Sequence, residues 1–159
     1  MIRYMADSKT TTGYLVDVVT RESLSFQYNP DEITDEKSTD FAAIKVPGMS
    51  HPRYQYVAGE ARRIAFKLTF FKVDVKKKAS WLRSLLYPQH GKTMLKTAPH
   101  KVLFFFGDLY SGVPCIVRQV RVRYFHMFDQ SNLLPQHAEV EIILEEIVSK
   151  SVACSEVRR

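Results

Sequence analysis

Cys115 and five histidines, His51, His90, His100, His126 and His137, are the side chains that covalent or metal chemistry would recruit first. A thiol beside an imidazole makes a nucleophile with its base, and clustered imidazoles and thiolates hold transition metals. Neither pattern runs along this chain. The histidines are dispersed, with no CxxC pair and no HExxH spacing. Nothing local supplies a third group to orient a base for Cys115, and His126 stands inside a strand pattern where packing or partial exposure accounts for it. Carboxylates are dense in HAEVEIILEEIVS, but acid–base work needs a pair in a cleft with separated pKa values, not abundance. Gly107-Asp108 and Ser111-Gly112 are turn residues without the spacing of a phosphate loop. The expectation is a protein that is not an enzyme, with no catalytic residue, no cofactor and no metal.

Charge is the stronger signal. RVRYFHMF, residues 121–128, places Arg121 and Arg123 on one side of an apparent strand. After a short loop, Glu139, Glu141 and Glu145 line one side of the last strand. If the two strands pair, the arginines meet the glutamates across the ladder and help the sheet modestly. Pairing between subunits is the sharper rival. A third use is nucleic acid: the formal charge is +6 and the isoelectric point about 9.3, which permits phosphate contact without identifying a partner. Arg118, Arg121 and Arg123 with aromatic neighbours suit single-strand binding. Yet Tyr124, the nearest ring, has the opposite parity. Charge pairing is therefore preferred, with a basic β-barrel that binds nucleic acid as the alternative.

The elements that carry these residues read as mainly β. Apolar and aromatic fractions of 45% and 12% in 159 residues argue for one folded domain rather than a disordered chain. GYLVDVV (13–19) and ESLSFQYNP (22–30) resemble a hairpin about Thr20-Arg21, with Leu24, Phe26 and Tyr28 on one side and Pro30 ending the pairing. Residues 31–61 read as a long connection, either hiding short strands or working outside the core. In RRIAFKLTFFKVD, Ile64, Phe66, Leu68 and Phe70 share a face. VKKKASWLRSLLYP changes to helical period, with Ala79, Leu82, Leu85 and Leu86 in the stripe, Asp74 as N-cap, Pro88 as stop and Trp81 packing.

QHGKTMLKTAPH is turn-rich, KVLFFFGD is a dense strand, and Asp108–Gly112 forms a turn. In VPCIVRQVRVRYFHMF, Ile116, Val120, Val122 and Tyr124 share one side, Gln119, Arg121 and Arg123 the other, and Arg118 breaks the pattern. In the last strand Val140, Ile142, Leu144 and Val148 face together. Two cysteines are too few for a disulfide-stapled scaffold, and both are expected as free thiols. MIRYMADSK lacks a signal-peptide core and no run reaches spanning length, so cytoplasmic synthesis and no membrane are expected.

Several of these stretches, in order, resemble the tube domain near the start of baseplate hub proteins in contractile phage tails and contractile injection systems. They are LSFQYNPDEI, VPGMSHPRYQYVAGEARRIAFKLTFF, HKVLFFFGDLYSGVPCIVRQVRVRYFHMF and LPQHAEVEIILEE, spanning roughly residues 22–148 with the helix between the second and third. Members of this type often continue into a peptidoglycan-binding LysM domain, and none is expected within these 159 residues. The resemblance implies an antiparallel β-sandwich or barrel of tail-tube type with one flanking α-helix, in residues 13–149. It leaves residues 1–12 as a flexible or partner-contacting segment and 150–159 as a tail.

It further implies a structural protein of the virion tail baseplate, assembled in the host bacterial cytoplasm. Six copies would form a ring that adapts the spike or hub to the tail tube and templates tube assembly. Partners would be the spike or hub protein, the tube protein and other baseplate subunits. DNA would pass through the channel without sequence-specific recognition. The resemblance makes Tyr54, Tyr56, Arg62, Arg63, Arg121, Arg123, Glu139 and Glu141 candidates for inter-subunit or ring contacts. It places Phe26, Tyr28, Asn29, Pro30 and Gly107 in local architecture.

Overall fold

The computed structural model describes residues 11–125 and 127–158. Most of the expected N-terminal segment (residues 1–10) and His126 therefore lie outside the described residues. In chain order the elements are β1 (Tyr14–Asp17), β2 (Ser23–Ser25), β3 (Ile33–Glu36), β4 (Thr39–Ile44), β5 (Arg53–Gly59), β6 (Arg63–Phe71), α1 (Val75–Ser84), β7 (Gln89–His90), β8 (Leu95–Thr97), β9 (Val102–Phe106), β10 (Tyr110–Tyr124), β11 (His137–Glu146) and α2 (Cys154–Val157). Seven strands make one antiparallel sheet in the order β2-β1-β9-β10-β11-β6-β3, while β4–β5 and β7–β8 are separate hairpins.

Period-two alternation sets the inner face of this sheet. Ile64, Phe66, Leu68 and Phe70 of β6 and Val140, Ile142 and Leu144 of β11 are all buried, with polar neighbours between them turned outward. The sheet is strongly curled. Phe66 on β6 stacks on Phe104 of β9 with ring centroids 5.0 Å apart, although β10 and β11 lie between those strands. In a flat sheet three strand spacings would hold them about 14 Å apart. Phe26, just after β2, touches both rings from the far edge, at 5.6 and 6.3 Å. Gln27 then links the two edges. Its side-chain amide donates to the Phe71 carbonyl at 2.8 Å and accepts from the Phe71 N–H at 3.0 Å, as a neighbouring strand would. Helix α1 adds Val75, Ala79 and Leu82 to this interior, with Leu85 following.

Several sequence expectations change. Of the two readings of residues 31–61, hidden short strands are what is found: the segment holds β3 and the whole β4–β5 hairpin. Period two marks a strand only when one face is buried, and β4 and β5 bury neither. QHGKTMLKTAPH contains the small β7–β8 hairpin. The turn after β9 is shorter than Asp108–Gly112, because β10 starts at Tyr110. Gly112 instead sits in a slip of the β9–β10 register with φ +90°, where an added Cβ would stand 3.0 Å from the Phe105 ring.

A second slip, at Arg118, explains the broken pattern in β10. The register jumps between Val117 and Gln119, so Cys115 and Val117 face the core before it and Val120, Val122 and Tyr124 after it. Ile116 therefore belongs to the opposite side from Val120. Tyr28 and Val148 lie beyond their strands and are exposed. Asp74 precedes α1 in a left-handed conformation, φ 46°, from which its side chain makes no capping bond. The helix ends at Ser84, ahead of Pro88, and a second, four-residue helix, α2, occupies the expected tail. Trp81 does pack against the core and donates its indole N–H to Glu22 at 2.9 Å.

Candidate functional site

The outer face of the sheet carries rows of opposite charge. Strand β11 lies between β10 and β6, so its outward glutamates have basic residues on both sides. Arg121 stands across from Glu141 and Arg123 across from Glu139. On the other flank Lys67 is opposite Glu141 and Arg63 opposite Glu145. The resulting ion pairs are Arg121–Glu141 at 3.8 Å, Arg118–Glu145 at 3.2 Å, Arg63–Glu145 at 3.5 Å and Lys67–Glu139 at 3.6 Å. Arg123 lies over the Phe125 ring at 5.1 Å. Each basic side chain of these pairs is more than half exposed, so the pairs set register and surface potential more than stability.

Arg62 behaves differently from its neighbour. Its guanidinium grips Asp35 through Nε and Nη2, reaches Glu146 at 3.4 Å and lies over the Tyr110 ring. Tyr110 in turn donates to Asp35 at 2.8 Å. The cluster ties β3 to β10 across the intervening strands, with Arg62 bonded within its own chain. The Arg62 hydrogen bonds hold the Asp35 carboxyl below its ordinary range despite burial. Burial, with the Asp35 carboxylate beside it, pushes the Tyr110 hydroxyl up to about 12.

A second internal clasp joins the β1–β2 turn to the start of β9. Asp17, 4% exposed, contacts the His100 ring at 2.7 Å and accepts hydrogen bonds from Val19 and Thr20. Burial raises its pKa, but the bonds from His100, Val19 and Thr20 outweigh burial and leave it lowered. Cys115 is fully buried, and burial, followed by Glu146, pushes its thiol up to about 12. Both cysteines are free. Among the described residues, no three His, Cys, Asp or Glu side chains gather as metal ligands, and no helix is long and apolar enough to cross a membrane.

The β4–β5 hairpin is the other candidate surface. Every residue of both strands is exposed. Its register pairs Phe41 with Tyr56 and Ala43 with Tyr54, which puts Phe41, Tyr54 and Tyr56 on one face. Those three side chains are 55%, 70% and 61% exposed, and Ile44, Val46, Met49 and Val57 are exposed too. The base of the hairpin is anchored through Ser38, which bonds the Glu60 carboxylate at 2.7 Å, and through Lys37 on the Glu60 carbonyl. Sequence reasoning found Tyr54 and Tyr56 but missed Phe41, Ile44 and Val57, which share the same projecting unit. An apolar run with no consistent buried parity was the available signal.

Of the architectural candidates, Phe26 is in the core. Asn29 accepts from the Gly13 N–H and donates to the Thr11 carbonyl, both at 2.9 Å, and so pins the chain ahead of β1. Gly107 turns the chain after β9 with φ +54°. Tyr28 and Pro30 lie in the segment that bows away between β2 and β3 and line a groove of about 740 Å³. No protein-family model and no curated protein matches this chain.

Proposed function

We propose that this protein is a structural assembly subunit, a tube-like ring component that joins spike or hub to tail tube in a contractile phage tail or injection device. One observation carries the reading: a hairpin of thirteen paired-strand residues, Thr39–Ile44 and Arg53–Gly59, bears Phe41, Tyr54 and Tyr56 in the open. A lone two-stranded hairpin is marginally stable in water, and a contiguous exposed aromatic patch marks an interaction surface. The curled antiparallel sheet with a flanking helix is consistent with a tail-tube type of sandwich, and the ordered resemblance of residues 22–148 supports this choice of assembly. The mechanism is mechanical and templating. Copies join side by side, and the ring offers a surface on which tube subunits add.

The alternative, a basic barrel that binds nucleic acid, is disfavoured by one arrangement. Glu139, Glu141 and Glu145 run as a row between the basic residues of β10 and β6. A phosphate backbone laid on that face meets carboxylates as well as arginines. Cryo-electron microscopy of particles captured through tagged protein tests the reading. Copies stacked in a ring between spike and tube are expected. Capture of nucleic acid without tail proteins would overturn it.

A further inference from the structure

Strand β6 is longer than its outer neighbour. β3 covers only Arg63–Phe66, from Glu36 opposite Arg63 to Ile33 opposite Phe66, while β6 continues to Phe71. Gln27 meets the backbone again only at Phe71. Between these points residues 28–32 bow away, and among the described residues Lys67–Phe70 have no strand on that side. The groove of about 740 Å³ opens there. Asp31, Glu32, Glu139 and Glu141 line it with Lys67; Glu139 pairs with Lys67 and Glu141 with Arg121, which leaves Asp31 and Glu32 as its acidic rim. Among the described residues, Asp31 and Glu32 form no ion pair.

The hairpin has the opposite character. From Phe41 to Gly59 it carries Lys45 and Arg53 and no carboxylate, beside exposed Ile44, Val46 and Met49. It leaves the sheet at the end where Glu36 faces Arg63, and the groove runs from Thr34 and Ala65 along β6 to Thr69. Two unlike, complementary surfaces on one molecule define head-to-tail association, which closes into rings or extends into filaments.

We infer that the acidic groove between residues 28–32 and β6 receives the basic, apolar turn of the β4–β5 hairpin from a second copy of this chain. The inference rests on the reading of the hairpin as an assembly arm and adds the surface that receives it. Lys45 and Arg53 meet Asp31 and Glu32, apolar turn residues cover Tyr28, and the free edge of β6 offers backbone partners.

The test uses two full-length chains, both with Cys154→Ser so that buried Cys115 is the only native thiol left. One carries Met49→Cys in the hairpin turn, the other Glu32→Cys at the groove. They are mixed under mild oxidation, and uncross-linked mass is followed by light scattering. A link between the two chains, in excess of either chain linked to itself, is the expected result. Asp31→Lys with Glu32→Lys should weaken association roughly tenfold or more, and mixing with Lys45→Glu, Arg53→Glu copies should restore it. Linkage only between two Met49→Cys copies, or a mass above the monomer with neither link, would overturn the groove while leaving a self-assembling subunit. A monomer with neither link also overturns it, and the particle experiment then decides the broader reading separately.

Discussion

Arg121 on β10 stands directly across the ladder from Glu141 on β11, with guanidinium and carboxylate 3.8 Å apart. Glu141 has Lys67 opposite it on its other side. Lys67 pairs with Glu139 instead, while Glu145 answers both Arg118 and Arg63. The arginines that suggest a nucleic-acid grip belong to a mixed-sign surface.

Because Arg121 is 72% exposed at its side chain, its pair contributes little. Arg121→Ala should change unfolding free energy by no more than about 1 kcal/mol. Arg121→Glu places like charges directly opposite and should cost more at low ionic strength, with salt relieving the loss. Urea unfolding at two salt concentrations measures both.

Arg62 is the contrasting case. It serves Asp35 and Glu146 together and covers Tyr110. Arg62→Ala should destabilise the fold by roughly 1.5–3 kcal/mol, the range for hydrogen bonds to charged groups. Arg62→Lys should restore little, because one ammonium cannot reproduce the fork on Asp35. A loss under about 0.5 kcal/mol, the size of an ordinary surface substitution, would contradict this account.

Acid should weaken the fold through Asp17 and Asp35. Both carboxyls have folded pKa values below the ordinary 3.8. The unfolded chain therefore takes up their protons first as pH falls. Their contribution is present above the unfolded value and is lost as pH drops through the folded ones. Denaturant midpoints between pH 6 and pH 2, roughly spanning the carboxylate range, should fall at the acidic end. Asp17→Asn and Asp35→Asn should each flatten that fall while lowering stability at neutral pH.

The thiols should separate cleanly. Cys154 is exposed and Cys115 is buried with its pKa pushed up to about 12. At mildly alkaline pH a thiol reagent should label Cys154 in the native protein and Cys115 only after denaturant is added. Rapid native labelling of Cys115 would show that this part of β10 opens readily.

Tyr54→Ser combined with Tyr56→Ser removes two exposed rings from the hairpin. Monomer stability should stay within about 0.5 kcal/mol of the parent, as for surface positions. Assembly, read by light scattering or by incorporation into particles, should be lost.

The inner strand faces were legible in the sequence because burial imposes period two. Ile64 to Phe70 and Val140 to Leu144 alternate for that reason, and Glu139 and Glu141 take the outer face as a consequence. The sequence also placed α1 by its change of period. It could not reveal β4 and β5 as strands, since neither buries a face and no alternation is required of them. Nor did it expose the slip at Arg118, which exchanges the two sides of β10 midway, or distinguish Arg62 from Arg63.

Those distinctions come from curvature. Stacking Phe66 on Phe104 rolls β6 toward β9 and brings Asp35, Tyr110 and Arg62 together across 75 residues of chain. The sequence by itself determined which side chains seek the interior. Only the tertiary structure decided which charges are answered within the chain, because pairing depends on where a curled sheet sets its strands. It also left both strands of the β4–β5 hairpin exposed.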